Sequence, residues 1–488
     1  MTRRDDERLR DALLEIEHAA PVYLPPRVRP RADRRLVWAL GGVSALTVVL
    51  LAVLLANTLP DDREIGEASP TVGPSSTPAD APTPSPAAGS PLPTERPSAT
   101  AAPPQTPTPT PGPITRWAPV AEFATDGFAE EVQSVTYAAG QFIAVGYREP
   151  LDQRTAVAPP QDVPLIWRSV DGRNWERVTA GDPFANAHLT SVVPLPDGSA
   201  GIFGWVDAGG GLSPETFSAW RSTDGVAWSP IALNLPNEVL PGPVVAGPRG
   251  FLTAASGPDD DAWYEQLWHS DDGITWRSVR AFQHAEVGIR ETVQTYDAGA
   301  EGFVVTAQRY EASEEAAFEN PVAFVLASAG GTSWFEADAD VTPRATDLVV
   351  APLAGDWMIL TRDWESTSVT AWFSASGLGW EQRGSLEVPI PEAQTDQALG
   401  GIAGSFTSTG DRFILTGLAV YCCHGPGWAS GVWSSFDGRS WERLGFPADT
   451  IVRDAVTHDD VTVLVGHGGA SPEADWKAVA TFWIGERD

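Results

Sequence analysis

Two tryptophans eight residues apart, with a serine and an Asp-Gly pair between them, recur along this chain and constrain its fold more than any other feature. The first copy runs Trp167-Arg168-Ser169-Val170-Asp171-Gly172 and ends on Trp175. The second carries Ser222, Asp224, Gly225 and Trp228, the third Ser270, Asp272, Gly273 and Trp276, and the sixth Ser435, Asp437, Gly438 and Trp441. Between the third and the sixth lie two worn copies, with Gly330 and Ser376 at the aspartate position. The motif serines fall at 169, 222, 270, 328, 374 and 435. Strand-rich repeats at roughly this period indicate propeller blades.

The motif has a local logic. Alternating apolar and polar residues enter it, Asp-Gly turns the chain, and the second tryptophan opens the returning strand. Asp-Gly between strand patterns is a strong hairpin signal, because glycine accepts positive φ and the carboxylate bonds turn amides. Two further strand-like runs precede each motif, as in Val132 to Ala138 and Gln141 to Tyr147. Each unit therefore reads as a four-stranded meander.

The ends of the repeat region fix the blade number. After the sixth motif come Ile451 to Thr457, Val461 to Gly466 and Ala478 to Gly485, which supply three strands and no fourth. An orphan strand, Ile114 to Phe123, stands before the first unit, and its Trp117-x-x-Val120 matches Trp175-x-x-Val178. It is expected to complete the last sheet and leave no open edge there. The expected fold is all-β: a seven-bladed β-propeller of four-stranded blades, with the last blade closed by the N-terminal strand.

These repeats resemble the Asp-box (BNR) repeats of sialidase-like propellers, whose usual box, Ser-x-Asp-x-Gly-x-Thr-Trp, is one residue longer. The resemblance covers residues 114–488. It implies that the boxes lie in the turn between third and fourth strands, away from the substrate pocket, so Asp171, Asp224, Asp272 and Asp437 take structural roles. It also implies, for an active sialidase, three arginines, a tyrosine nucleophile with a glutamate, and an aspartate acid/base. Arg290, Arg344 and Arg453 lie near the starts of inner strands, and Tyr137 and Tyr296 sit on inner strands, but ordinary strand composition explains all five. No catalytic set is assigned, and an enzyme is the less favoured reading.

The rest of the chain is organised as a tether. Residues 1–35 form a charged tail with nine arginines, and Leu36 to Leu59 contains no charged side chain. About 20 apolar residues suffice to cross a bilayer as a helix. This stretch is longer and later than a signal-peptide core. It reads as one uncleaved transmembrane helix, with the arginine-rich N-terminus cytoplasmic and the propeller extracytoplasmic. Residues 60–113 are rich in proline, threonine and serine and read as a disordered stalk, on the order of 150 Å long when extended.

The sequence carries 32 basic and 64 acidic residues, a formal charge of −32. That balance works against nucleic-acid binding and against docking on anionic lipid. Two cysteines cannot make a disulfide framework, so a large apolar core carries stability.

The remaining candidates lie on the links between second and third strands, at 148–164, 206–217, 257–266, 309–322 and 418–430. Propeller geometry brings these out opposite the Asp-box turns, and function collects on such loops. They carry Trp263, Tyr264, Tyr310, Phe318, Tyr421 and Trp428, with Cys422, Cys423 and His424 in the most unusual segment. The adjacent cysteines form a vicinal disulfide, remain thiols, or join His424 on a soft metal, in that order of preference. Asp259-Asp260-Asp261 offers oxygen ligands to calcium, but a solvated acidic loop is preferred, and no metal or cofactor is assigned. The leading expectation is a monomeric, membrane-anchored binding or sensing propeller whose loop-rich face takes a carbohydrate or protein. A tethered sialidase-like glycoside hydrolase is the first alternative, and an assembly or scaffolding factor at the cell surface the second.

Overall fold

The computed structural model describes residues 114–487 except 125–126, 151–162, 179–180, 207–215, 236–239, 259–262, 283–287, 313–321, 338–344, 354, 364–367, 388–397, 401–404, 422–427, 448–449 and 469–477. The charged tail, the expected transmembrane helix and the stalk all lie outside the described residues. Among the described residues no helix is long and apolar enough to cross a membrane.

Seven antiparallel sheets follow one another along the chain. Blade 1 is a meander of Phe128–Ala138, Gln141–Pro150, Val163–Ser169 and Glu176–Val178, ordered from the inside outward. The inner strands of the blades pack against one another in sequence, and the seventh, Ile451–His458, returns to pack on the first, Phe128–Ala138. The result is a closed seven-bladed propeller. Blades 3 and 6 count five strands because their inner strands are interrupted, as Leu240–Pro241 with Val245–Gly247 and as Ala398–Gly400 with Ser405–Ser408.

The orphan strand does close the ring. Ile114–Phe123 is the outermost strand of blade 7 and pairs with Val479–Arg487. Trp117 stands opposite Gly485 in this ladder, and Pro119 opposite Trp483. In blade 3, Trp276 stands opposite Ser270, two residues beyond Trp268. Trp117 thus occupies the second-tryptophan place, although the two strands of its hairpin come from opposite ends of the propeller region. Where the other blades have a turn, blade 7 has the Arg116–Glu486 ion pair. Arg412 of blade 6 is buried and donates to the carbonyl of Ile114 at 2.8 Å.

The core is divided as a ring demands. Seven buried clusters each fill the space between two neighbouring blades, including blades 7 and 1. The motif tryptophans are the main wedges: Trp167, Trp220, Trp268, Trp433 and Trp483 are buried. Each such side chain is worth about 3–5 kcal/mol against truncation to alanine.

The Ser-x-Asp-Gly turns are self-contained. Asp171 Oδ1 accepts from the amides of Arg173 and Asn174, both at 2.8 Å, and from Ser169 Oγ at 3.0 Å. Asp224 repeats the pattern with Val226 and Ala227, and these amides hold its carboxyl below the usual carboxylate range. The glycine that follows has positive φ in all six turns. Beyond φ, a methyl group at Gly225 would run into Gln141 of blade 1. The turn is therefore a blade-to-blade joint as well as a hairpin.

Candidate functional site

The meander order places the Ser-x-Asp-Gly turns at one end of the channel and the second-to-third-strand links at the other. The tips of those links, with Phe318, Cys422, Cys423 and His424, lie outside the described residues, as does Asp259-Asp260-Asp261. The strands run further into these segments than the sequence indicated. Trp263 and Tyr264 open a third strand and pair with Pro258 and Gly257, while Tyr421 and Trp428 pair with Ala398 and Ala419. Tyr310 is likewise a strand residue, buried, with its hydroxyl 2.8 Å from Thr292 Oγ1.

A repeated irregularity shapes the link end of the channel. Five inner strands slip register once along their length, leaving Gln133, Thr190, Gln294, Thr346 and Arg453 unmatched. Such bulges bend a strand and re-aim side chains. In blades 1, 2 and 7 the bulge brings a carbonyl against Gly146, Gly204 and Gly466, where a side chain would collide with it. The residues after those glycines are Tyr147, Trp205 and His467.

Two polar groups assemble here. In the first, Glu131 and Tyr147 are cross-strand partners, and the Tyr147 hydroxyl donates to Glu131 Oε2 at 3.3 Å. Gln133 Nε2 donates to the same oxygen at 3.2 Å, and the Arg453 guanidinium approaches it to 3.5 Å from blade 7. The His188 ring, from blade 2, lies 4.4 Å from that of Tyr147. His467 is buried, and burial pushes its pKa down to about 4 even though Glu131 pulls it up. It is a neutral imidazole at pH 7.

The second group joins blades 3 and 4. Arg290 is the cross-strand partner of Tyr310, and its Nε is buried with no hydrogen-bond acceptor among the described residues. Glu265 accepts from the amide of Val293 at 2.5 Å. Burial raises its pKa to about 7, with the Val293 amide and the Arg290 charge only partly opposing. Burial also raises the Tyr310 phenol.

Two further acids sit on inner strands. Asp454 accepts from Val135 N at 2.9 Å and Ser134 Oγ at 3.1 Å, tying blade 7 to blade 1. Burial raises its pKa to about 6. Burial raises Asp297 to about 7, and the charge of Asp454 adds to the effect.

The arginines named from sequence do not form one set. Arg290 and Arg453 join different groups, and Arg344 lies outside the described residues. Tyr137 instead stacks on His458 at 3.3 Å, and Tyr296 donates to the Pro243 carbonyl at 2.6 Å. Glu131, Tyr147, His188, Glu265 and His467 escaped sequence reasoning. The signal that finds three of their blades is glycine followed by a ring residue near the end of a second strand. Among the described residues no three side chains of metal-binding type gather.

No family model and no curated protein matches this chain. Among solved structures it is similar to an α-L-arabinofuranosidase of Fusarium graminearum in complex with an iminosugar inhibitor, with 14% identity and a TM-score of 0.36, over 63% of this chain and 94% of that one. It is similar to the polysaccharide lyase Uly1 with 11% identity and a TM-score of 0.42, over 73% of this chain and 90% of that one. A sialidase of Trypanosoma rangeli aligns with 11% identity and a TM-score of 0.36, over 73% of this chain and 53% of the sialidase.

Proposed function

We propose that the link end of the channel is a carbohydrate-binding site on an Asp-box propeller held outside the cell by the Leu36–Leu59 anchor and the proline-rich stalk. The observation that carries this reading is the contact of Tyr147, Glu131 and Arg453, drawn from two blades beside the His188 ring. A carboxylate that accepts, a guanidinium that donates and a ring face are the groups that hold a polyhydroxylated ligand. A glycan-binding screen with the full chain in detergent tests it: the expected result is binding weakened at least tenfold by Arg453→Ala, and no bound glycan would refute it. Protease accessibility on intact cells tests the topology, with the propeller expected to be cleaved from outside.

A second reading, cleavage of the bound glycoside, is favoured by Glu265. With a pKa near 7 it is protonated in a large fraction of molecules at neutral pH, as a general acid must be. Turnover of fluorogenic glycosides that Glu265→Gln abolishes would establish it; glycan binding without turnover would leave a binding propeller.

A further inference from the structure

The two polar groups are chemically the same trio. Arg453, Tyr147 and Glu131 make up one, and Arg290, Tyr310 and Glu265 the other. Both lie at the link end of the channel. Each arginine stands on the entering half of an inner strand, in Ile451–His458 and Gly288–Gly299, and each tyrosine toward the far end of a second strand. The two are built differently: Arg453 comes from the blade next to that of Tyr147, whereas Arg290 is the cross-strand partner of Tyr310 within one blade. One trio spans blades 7 and 1 and the other blades 3 and 4, so they occupy opposite sides of the seven-membered ring. Neighbouring sheets pack about 10 Å apart, which puts two such groups on the order of 15–20 Å from each other.

Each trio holds a guanidinium for donation, a carboxyl for acceptance and a phenol that does both, enough to engage adjacent hydroxyls of one sugar ring. No single ring spans both. In the first trio the Arg453 charge is offset by Glu131 at 3.5 Å, and the whole chain carries −32, which repels a polyanion over long range. We infer that the ligand is an uncharged, extended glycan lying across the channel mouth, with one trio at each side as a separate subsite. This rests on the carbohydrate reading above and adds ligand length and charge to it. Linking two subsites through one ligand turns the second contact into an intramolecular event, so affinity climbs steeply once the chain is long enough to reach both.

The test uses the full chain in detergent. Soluble uncharged polymers (glucan, mannan, xylan and arabinan) are titrated beside polygalacturonate and dextran sulfate, and the best binder is then titrated as a ladder from two to eight units. The expected result is binding of an uncharged polymer, with affinity rising at least tenfold between two units and six. Arg290→Ala should reduce hexamer affinity about tenfold or more and lower apparent dimer affinity by no more than about twofold, because the Arg453 trio still takes the dimer; Arg290→Gln repeats the test should the alanine variant fold poorly. Equal affinities for dimer and hexamer, an Arg290→Ala variant that binds the hexamer normally, or binding of polyanions alone would each overturn the inference while leaving a carbohydrate site intact. Binding of none of the six polymers would overturn both.

Discussion

The guanidinium of Arg412, buried in blade 6, donates to the backbone carbonyl of Ile114, the first residue of the strand that closes blade 7. The same guanidinium lies over the Phe436 ring at 4.3 Å. One side chain therefore fastens the entering chain to a blade it does not belong to.

Deleting residues 114–123 should leave Val479–Arg487 as a bare edge and open the cluster that holds Trp117, Ile414 and Trp483. The expected outcome is a loss of several kcal/mol and a broadened thermal transition in calorimetry. Arg412→Met should cost about 1–3 kcal/mol, since it leaves the Ile114 carbonyl without this donor. A deletion variant as stable as the parent would show that the ring is not closed this way.

Changes in the Ser-x-Asp-Gly turns should scale with the bonds each one makes. Asp224→Ala removes the one oxygen that accepts from two turn amides and is expected to cost about 1–2 kcal/mol. Gly225→Ala adds backbone strain and a collision with Gln141, for a cost of about 2–3 kcal/mol. Ser376→Ala in the worn fifth turn loses only a 3.3 Å bond to Leu378 and should cost less than either. Chemical denaturation of the three variants gives the ranking directly.

Stability should fall on both sides of mildly acidic pH. The turn aspartates, such as Asp224 and Asp437, have folded pKa values below their unfolded ones. Their contribution is present above about pH 4 and is lost as pH falls through the depressed values. Glu265, Asp297 and Asp454 are raised, to about 7, 7 and 6. Between about pH 4 and 7 the folded chain binds more protons at these sites than the unfolded chain, so their contribution is lost as pH rises through that window. Asp297→Asn should raise the melting temperature at pH 8 by about 2–4 °C and do little at pH 4.5. A shift of equal size at both pH values would count against the assignment.

Tyr147→Phe deletes one hydroxyl and its 3.3 Å bond to Glu131. It should change stability by less than about 1 kcal/mol, because the bond is long and the ring packing is kept. Glycan affinity should nonetheless drop about 5- to 20-fold, a split between binding and stability that isothermal titration and calorimetry resolve together.

The ring was legible because its marks are local. Trp117 and Val120 repeat the spacing of Trp175 and Val178, and both ends of the blade 7 ladder fall where that match puts them. The polar groups at the link end were not, because they form between blades. Glu131 and Arg453 meet only once the ring has closed, and neither lies in the repeating motif. In the sequence Glu265 is one of 64 acids, and only burial beside the Val293 amide sets it apart. The sequence puts the aromatic residues Trp263, Tyr421 and Trp428 on links, because hydrophobic alternation does not show how far a hairpin ladder continues past its core.

Ile114 and Arg487 are ladder partners, so both ends of the propeller leave at the end opposite the channel mouth. A pull on Ile114 resisted by something gripped at that mouth runs along the strand, and every bond of the ladder bears load at once. A pull that separates Ile114 from Arg487 instead breaks the bonds one after another. Optical-trap experiments in these two geometries should therefore give a high rupture force for the first and a low one for the second.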